Sequence, residues 1–169
     1  RRTELIDGEV LFKMTQNEPH ATALILAFEA LRTLFGVGHH VRQQLPLNLG
    51  TFHDPEPDLA VVRGGPRDHR RGPGPWDHPN AALLIVEISD STLWFDRARK
   101  SHLYASAAVP EYWIVNLIER RVEVHRNPTA DATAYLGFRY ASVTTVSDDG
   151  SIAPVAKPET AVKVADLLP

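Results

Sequence analysis

Two acidic residues sit at or near the ends of apolar runs in the first half of the chain. Asp58 follows a proline in Glu56-Pro57-Asp58-Leu59-Ala60-Val61-Val62, and Glu87 closes a second run, Leu83-Leu84-Ile85-Val86-Glu87-Ile88-Ser89. A lysine, Lys100, comes a little further on. Two carboxylates at strand edges with an ammonium nearby form a donor set for phosphodiester hydrolysis. Hard carboxylate oxygens, waters and a substrate phosphate suit Mg²⁺ or Mn²⁺, and a fixed cation stabilises charge developing on the phosphoryl group. A plainer reading stands beside this one. Each acid alone could mark where a strand meets water, and Asp96 and Lys100, four positions apart on one helical face, could form a surface ion pair of about 0.3–0.5 kcal/mol. Glu87 resists the plain reading, because apolar residues precede it and Ile88 follows it. An uncompensated carboxylate there would cost several kcal/mol. Ser89, two positions on, shares the strand face of Glu87, and Asp96 reads as the cap of the helix that carries Lys100.

The elements that must position these residues follow from periodicity. Glu4-Leu5-Ile6-Asp7-Gly8-Glu9-Val10-Leu11-Phe12 reads as a hairpin, since Asp-Gly between apolar runs favours a two-residue turn. From about Pro19 to Phe35, Ala21, Leu24, Ile25, Phe28, Leu31, Leu34 and Phe35 recur at helical spacing, and Gly36 and Gly38 end the pattern. Alternation of Val41, Gln43, Leu45 and Leu47 suggests a strand, with Pro46 placing it near an edge. The run Ala81 to Ser89 is apolar enough for a central strand covered on both faces. A helix is expected to begin around Asp96, then a strand pair over Glu111–Leu117 and Val122–His125, then a weaker strand over Tyr135–Val146. The order predicts one α/β (α+β) domain over 1–169, a mixed sheet flanked by helices with an N-terminal hairpin.

Composition narrows the chemistry. The 169 residues contain no cysteine, which removes disulfides, thiolate metal sites and cysteine nucleophiles and fits a reducing cytoplasm. Apolar stretches are strand-sized, so no membrane partner is expected. The chain opens Arg1-Arg2-Thr3, and a short upstream piece is expected. The formal net charge is −3, against the basic balance of a DNA-coating protein. Arginines nonetheless cluster locally at Arg63, Arg67, Arg70 and Arg71.

Four segments together resemble a known family: Glu-Pro-Asp-Leu-Ala-Val-Val at 56–62, Leu-Ile-Val-Glu-Ile-Ser-Asp-Ser-Thr at 84–92, Phe-Asp-Arg-Ala-Arg-Lys-Ser-His-Leu-Tyr-Ala at 95–105 and Val-Pro-Glu-Tyr-Trp-Ile-Val-Asn at 109–116. They resemble the Uma2 family, restriction-endonuclease-like proteins (formerly the domain of unknown function DUF820) of the PD-(D/E)XK nuclease superfamily. The resemblance implies a Mg²⁺- or Mn²⁺-dependent endonuclease acting on nucleic acid, with DNA as its substrate. It makes Asp58 and Glu87 the metal ligands, with the Ile88 carbonyl as a third. The superfamily lysine stands two residues after that glutamate, where this chain has Ser89. The family moves the lysine to the following helix, and Lys100 matches it. A supporting acid from the N-terminal region is also implied; Glu4, Glu9 and Glu18 are available, with Glu9 carried as the supporting candidate. His20 resembles a recurrent family histidine, Gln43 or its neighbour Gln44 could assist substrate or metal-bound water, and Arg67, Arg70 and Arg71 could contact nucleic acid. A homodimer is expected as the commonest closed assembly. The alternative is a non-catalytic nuclease-fold module for binding or assembly, which the net charge favours.

Overall fold

Asp7 and Gly8 take positive φ angles of 53° and 75°, the geometry that matches the twist of a two-residue hairpin. They join β1 (Thr3–Ile6) to β2 (Glu9–Phe12), with Leu5 opposite Val10 and Ile6 opposite Glu9. The structure, a computed structural model, describes residues 3–13, 15–68 and 78–169. Asn17 caps α1 (Glu18–Phe35) by accepting the His20 backbone N–H at 3.0 Å, Pro19 pre-sets the first turn, and Gly36 at φ 61° ends it. The buried stripe is Ala23, Ala27, Leu31 and Phe35 with Leu24. Small residues there bring the helix close to the sheet and rotate Ile25, expected inside, out to 55% exposure.

The main sheet runs β3 (His39–Gln43), β4 (Leu59–Arg63), β5 (Leu84–Ser89), β6 (Glu111–Asn116), β7 (Arg121–Ala130) and β8 (Phe138–Ser147) in that spatial order. Every neighbouring pair is antiparallel except β5–β6. A parallel pair needs a crossover, and here it is α2 (Leu93–Phe95), a π turn over Asp96–Lys100 and α3 (Ser101–Ser106). This is the mixed α+β sheet that the sequence predicts. All six residues of β5 are buried, as expected of a strand covered on both faces. Leu84, Val86 and Ile88 pack toward α1 and the C-terminal segment, which includes β9 (Ser151–Ile152), β10 (Val162–Lys163), Val164 and Leu167. Ile85 packs on the other face with Ile6, Leu103 and Tyr104. Glu87 and Ser89 therefore point toward the hairpin and α3.

Two local expectations change. The strand expected through Leu47 stops at Gln43, because Gln44 turns left-handed at φ 51° and breaks the alternation. The helix expected to start at Asp96 starts at Leu93, one turn earlier. Among the described residues no helix is long and apolar enough to cross a membrane.

Candidate active site

The antiparallel register pairs Leu59 with Val86, and one further step along it sets Asp58 opposite Glu87. Each acid is tied to the other's strand. The Asp58 N–H donates to Glu87 Oε2 at 3.2 Å, and the Ile88 N–H donates to Asp58 Oδ2 at 2.9 Å. Both residues are buried, at 4% and 2% exposure. Lys100 closes the group from the crossover: its Nζ donates to Glu87 Oε1 at 2.9 Å and lies 3.6 Å from Glu4 Oε1. The Tyr104 hydroxyl donates to the same Glu87 Oε1 at 2.7 Å. Around Asp58, His20 Nε2 lies 3.1 Å from Oδ2 and Gln44 Nε2 donates to Oδ1 at 3.1 Å.

The π turn explains how a helix delivers this lysine. The Ser101 N–H bonds the Asp96 carbonyl five residues back instead of four. The wider turn keeps Asp96 and Lys100 on its inner side, 2% and 5% exposed. Asp96 is thus inside the crossover and does not cap it. Thr92 precedes the first turn and donates its hydroxyl to Asp96 Oδ2 at 2.7 Å. Ser89 fills the strand position two beyond Glu87 with a side chain short enough to leave room for Lys100. It is fully buried, with its Oγ 3.5 Å from Thr92 Oγ1.

The charges are strongly coupled. Burial alone would push the Asp58 carboxyl up, but the His20 hydrogen bond and the charges of Lys13, His20 and Lys100 hold it well below the usual carboxylate range. Burial disfavours the Lys100 ammonium too, yet Glu87, Glu4, Asp96 and Asp58 around it raise its pKa above the ordinary lysine value. Lys100 is therefore a fixed cation and no proton acceptor near neutral pH. Burial pushes Glu87 up to about 7 against the pull of Lys100. Such a carboxyl binds its proton more tightly folded than unfolded. In EDTA its contribution to stability is full below 4.5, its unfolded value, and is lost as the pH rises through 7. Glu87→Gln is expected to flatten that slope, measured as urea midpoints across the window; an unchanged slope would assign it elsewhere.

The donor set fits a hard divalent cation. A carboxylate offers about four lone-pair positions. Glu87 Oε1 receives Lys100 and Tyr104 while Oε2 receives one N–H; Asp58 Oδ2 receives Ile88 and His20 while Oδ1 receives Gln44. Each acid keeps an acceptor position for a cation. Among the described residues no group of three or more His, Asp or Glu side chains forms a ready-made metal cage.

Not every expected residue arrives. Glu9 lies on the same hairpin face as Glu4 but beside the turn, so it overshoots the core, stays 68% exposed and pairs with Arg99 at 3.9 Å. Glu4 is the hairpin acid at the site; its Oε2 also receives the Glu56 N–H at 3.2 Å. Gln43 is exposed, and the left-handed turn at Gln44 sends that neighbour to Asp58 instead. His20, Ser89 and Asp96 are at or beside the cluster. Arg67 is exposed after β4, while Arg70 and Arg71 lie outside the described residues. Two residues are not singled out by the sequence: Tyr104, which stands within the segment 95–105, and Lys13, which donates to the Glu56 carbonyl. Tyr104→Phe is expected to cost about 1–3 kcal/mol through the lost hydrogen bond to the buried Glu87 carboxyl and to weaken Mn²⁺ binding by calorimetry. Unchanged values for both would separate the hydroxyl from the site.

Asp58, Glu87 and Lys100 line a cleft of about 330 Å³ with His20, Lys13 and Phe95. Residues 1–154 match the model of the family Uma2, described as "Putative restriction endonuclease". The fold is similar to a crystal structure from Anabaena variabilis ATCC 29413 described as "a putative nuclease belonging to DUF820". The TM-score is 0.70 at 17% identity, covering 98% of this chain and 88% of the other. No curated protein matches the sequence.

Proposed function

The chain belongs to the Uma2 family of restriction-endonuclease-like proteins, and from that premise we propose that it is a single-domain, metal-dependent endonuclease hydrolysing DNA phosphodiester bonds. The observation that carries this reading is the buried cluster in which Asp58 and Glu87 face each other and Lys100 donates to Glu87 at 2.9 Å. Asp58 and Glu87, with the Ile88 carbonyl, would hold Mg²⁺ or Mn²⁺. When bound, such an ion polarises a phosphoryl oxygen and lowers the pKa of water. The rest falls to the chain's own groups. A water oxygen attacks phosphorus and one P–O ester bond breaks; of the water's two protons one ends on the leaving oxygen as the new hydroxyl, and the other is left on the phosphate monoester or passes to solvent. Lys100 keeps its proton and supplies positive charge beside the pentacovalent phosphorus. Tyr104 and Lys100 occupy one oxygen of Glu87 and so orient the other. His20 and Gln44 hold the Asp58 carboxylate in place.

We place this activity in the cytoplasm, in keeping with a cysteine-free chain, and in a homodimer, the commonest closed assembly. Incubation with plasmid and single-stranded DNA tests the reading. Cleavage is expected with Mn²⁺ and none with EDTA. A protein that binds Mn²⁺ but cuts neither substrate would instead be a non-catalytic nuclease-fold module. One observation favours that rival: among the described residues no arginine lines the cleft, whereas Asp90 does.

A further inference from the structure

The phosphates of a duplex lie along a stiff rod and are gripped by cations spread over a broad surface. This site is arranged otherwise. Its acids and lysine form a floor only 2–5% exposed, inside a cleft of about 330 Å³. That is the lower end of the volumes that enclose one small molecule. Leu11 and Phe12 of the hairpin form part of the wall, and Phe95 of α2 another. Among the described residues, exposed aromatic rings stand at or next to the cleft. Trp94, between the cleft-lining Thr92 and Phe95, is 73% exposed, and Phe12 is 65% exposed. Elsewhere the described lining is mixed, with Thr15, Asn17 and Asp90 beside one further cation, Lys13. Exposed aromatic rings beside a narrow channel suit unpaired bases, because every base has a face to stack and a flexible strand can lower one nucleotide at a time.

We propose that the substrate of this site is single-stranded DNA. One nucleotide enters the cleft between Phe12 and Phe95, its phosphate reaches the Asp58–Glu87–Lys100 floor, and a neighbouring base stacks on Trp94. This rests on the nuclease reading and adds the strandedness of the substrate to it.

The test measures binding and cutting separately. Fluorescence anisotropy compares one labelled oligonucleotide, single-stranded or annealed to its complement, without metal and with Ca²⁺. The single strand is expected to bind at least about tenfold tighter. Trp94→Ala is expected to weaken single-strand binding by about tenfold or more and to leave duplex binding unchanged. In Mn²⁺ the same variant should raise KM for the single strand with kcat retained. Duplex bound or cut as well as the single strand, or a Trp94→Ala protein indistinguishable from wild type, would overturn the proposal. Cutting of duplex alone removes it and keeps the nuclease reading. Selective single-strand binding without cutting removes the nuclease reading and keeps the strand preference. Binding of neither removes both.

Discussion

Lys100→Ala is expected to lower the stability of the metal-free protein by about 3–5 kcal/mol above pH 7, where Glu87 is ionised in the wild type, and to end DNA cleavage. Removing one partner of a buried ion pair leaves the other charge in low dielectric without compensation. Here the abandoned groups are Glu87 at 2.9 Å and Glu4 at 3.6 Å, both buried. Alanine also leaves a void beneath Phe95, whose ring centre lies 6.0 Å from the lysine nitrogen. A divalent cation at Asp58 and Glu87 would return part of the missing positive charge, so Mn²⁺ should raise the melting temperature of the variant more than that of wild type. Denaturation in EDTA and in Mn²⁺ measures both effects. A variant as stable as wild type in EDTA would show that Lys100 does not neutralise these acids. Retained cleavage would remove Lys100 from the reaction.

Asp58→Ala is expected to abolish cleavage and Mn²⁺ binding together, the latter read by calorimetry without substrate. The carboxylate accepts the Ile88 N–H, Gln44 and His20. Its removal leaves a buried backbone donor unpaired and costs a further 1–3 kcal/mol or so. Asp58→Asn separates charge from shape and supplies a sign in acid. The wild-type carboxyl is depressed in the folded state, so its stabilisation is present above the unfolded value of 3.8 and is lost as pH falls toward its folded pKa. The asparagine variant should lack that acid limb. Cleavage that survives in both variants would sink the site assignment.

The pair of acids was legible because strand edges and continuous apolar runs are written locally. Asp58 follows Pro57 at the start of one run, and Glu87 interrupts another where no lone charge is tolerated. The hairpin was legible for the same reason, through Asp7-Gly8. What escaped depended on how elements meet. Alternation in β1–β2 shows that Glu4, Ile6 and Glu9 share a face, but not how far the core extends along the hairpin; Glu4 is inside its limit and Glu9 outside. Gln43 and Gln44 could be separated only by the left-handed turn at Gln44, a conformation that glutamine seldom adopts. Tyr104 looks like any aromatic on a helix until the crossover sets its hydroxyl 2.7 Å from Glu87. The helix start at Leu93 and the π turn over 96–100 had no signature in the sequence, yet together they put Asp96 within the helix and bury it with Lys100.

The parallel β5–β6 pair, with its crossover, has a consequence for the living cell. Both acids are synthesised before the lysine, Glu87 by 13 residues, and Lys100 takes its place when the chain doubles back through α3 to lay β6 beside β5. Until then Glu87 has neither the Lys100 ammonium nor the Tyr104 hydroxyl to hold it, and the nascent chain has no assembled cluster.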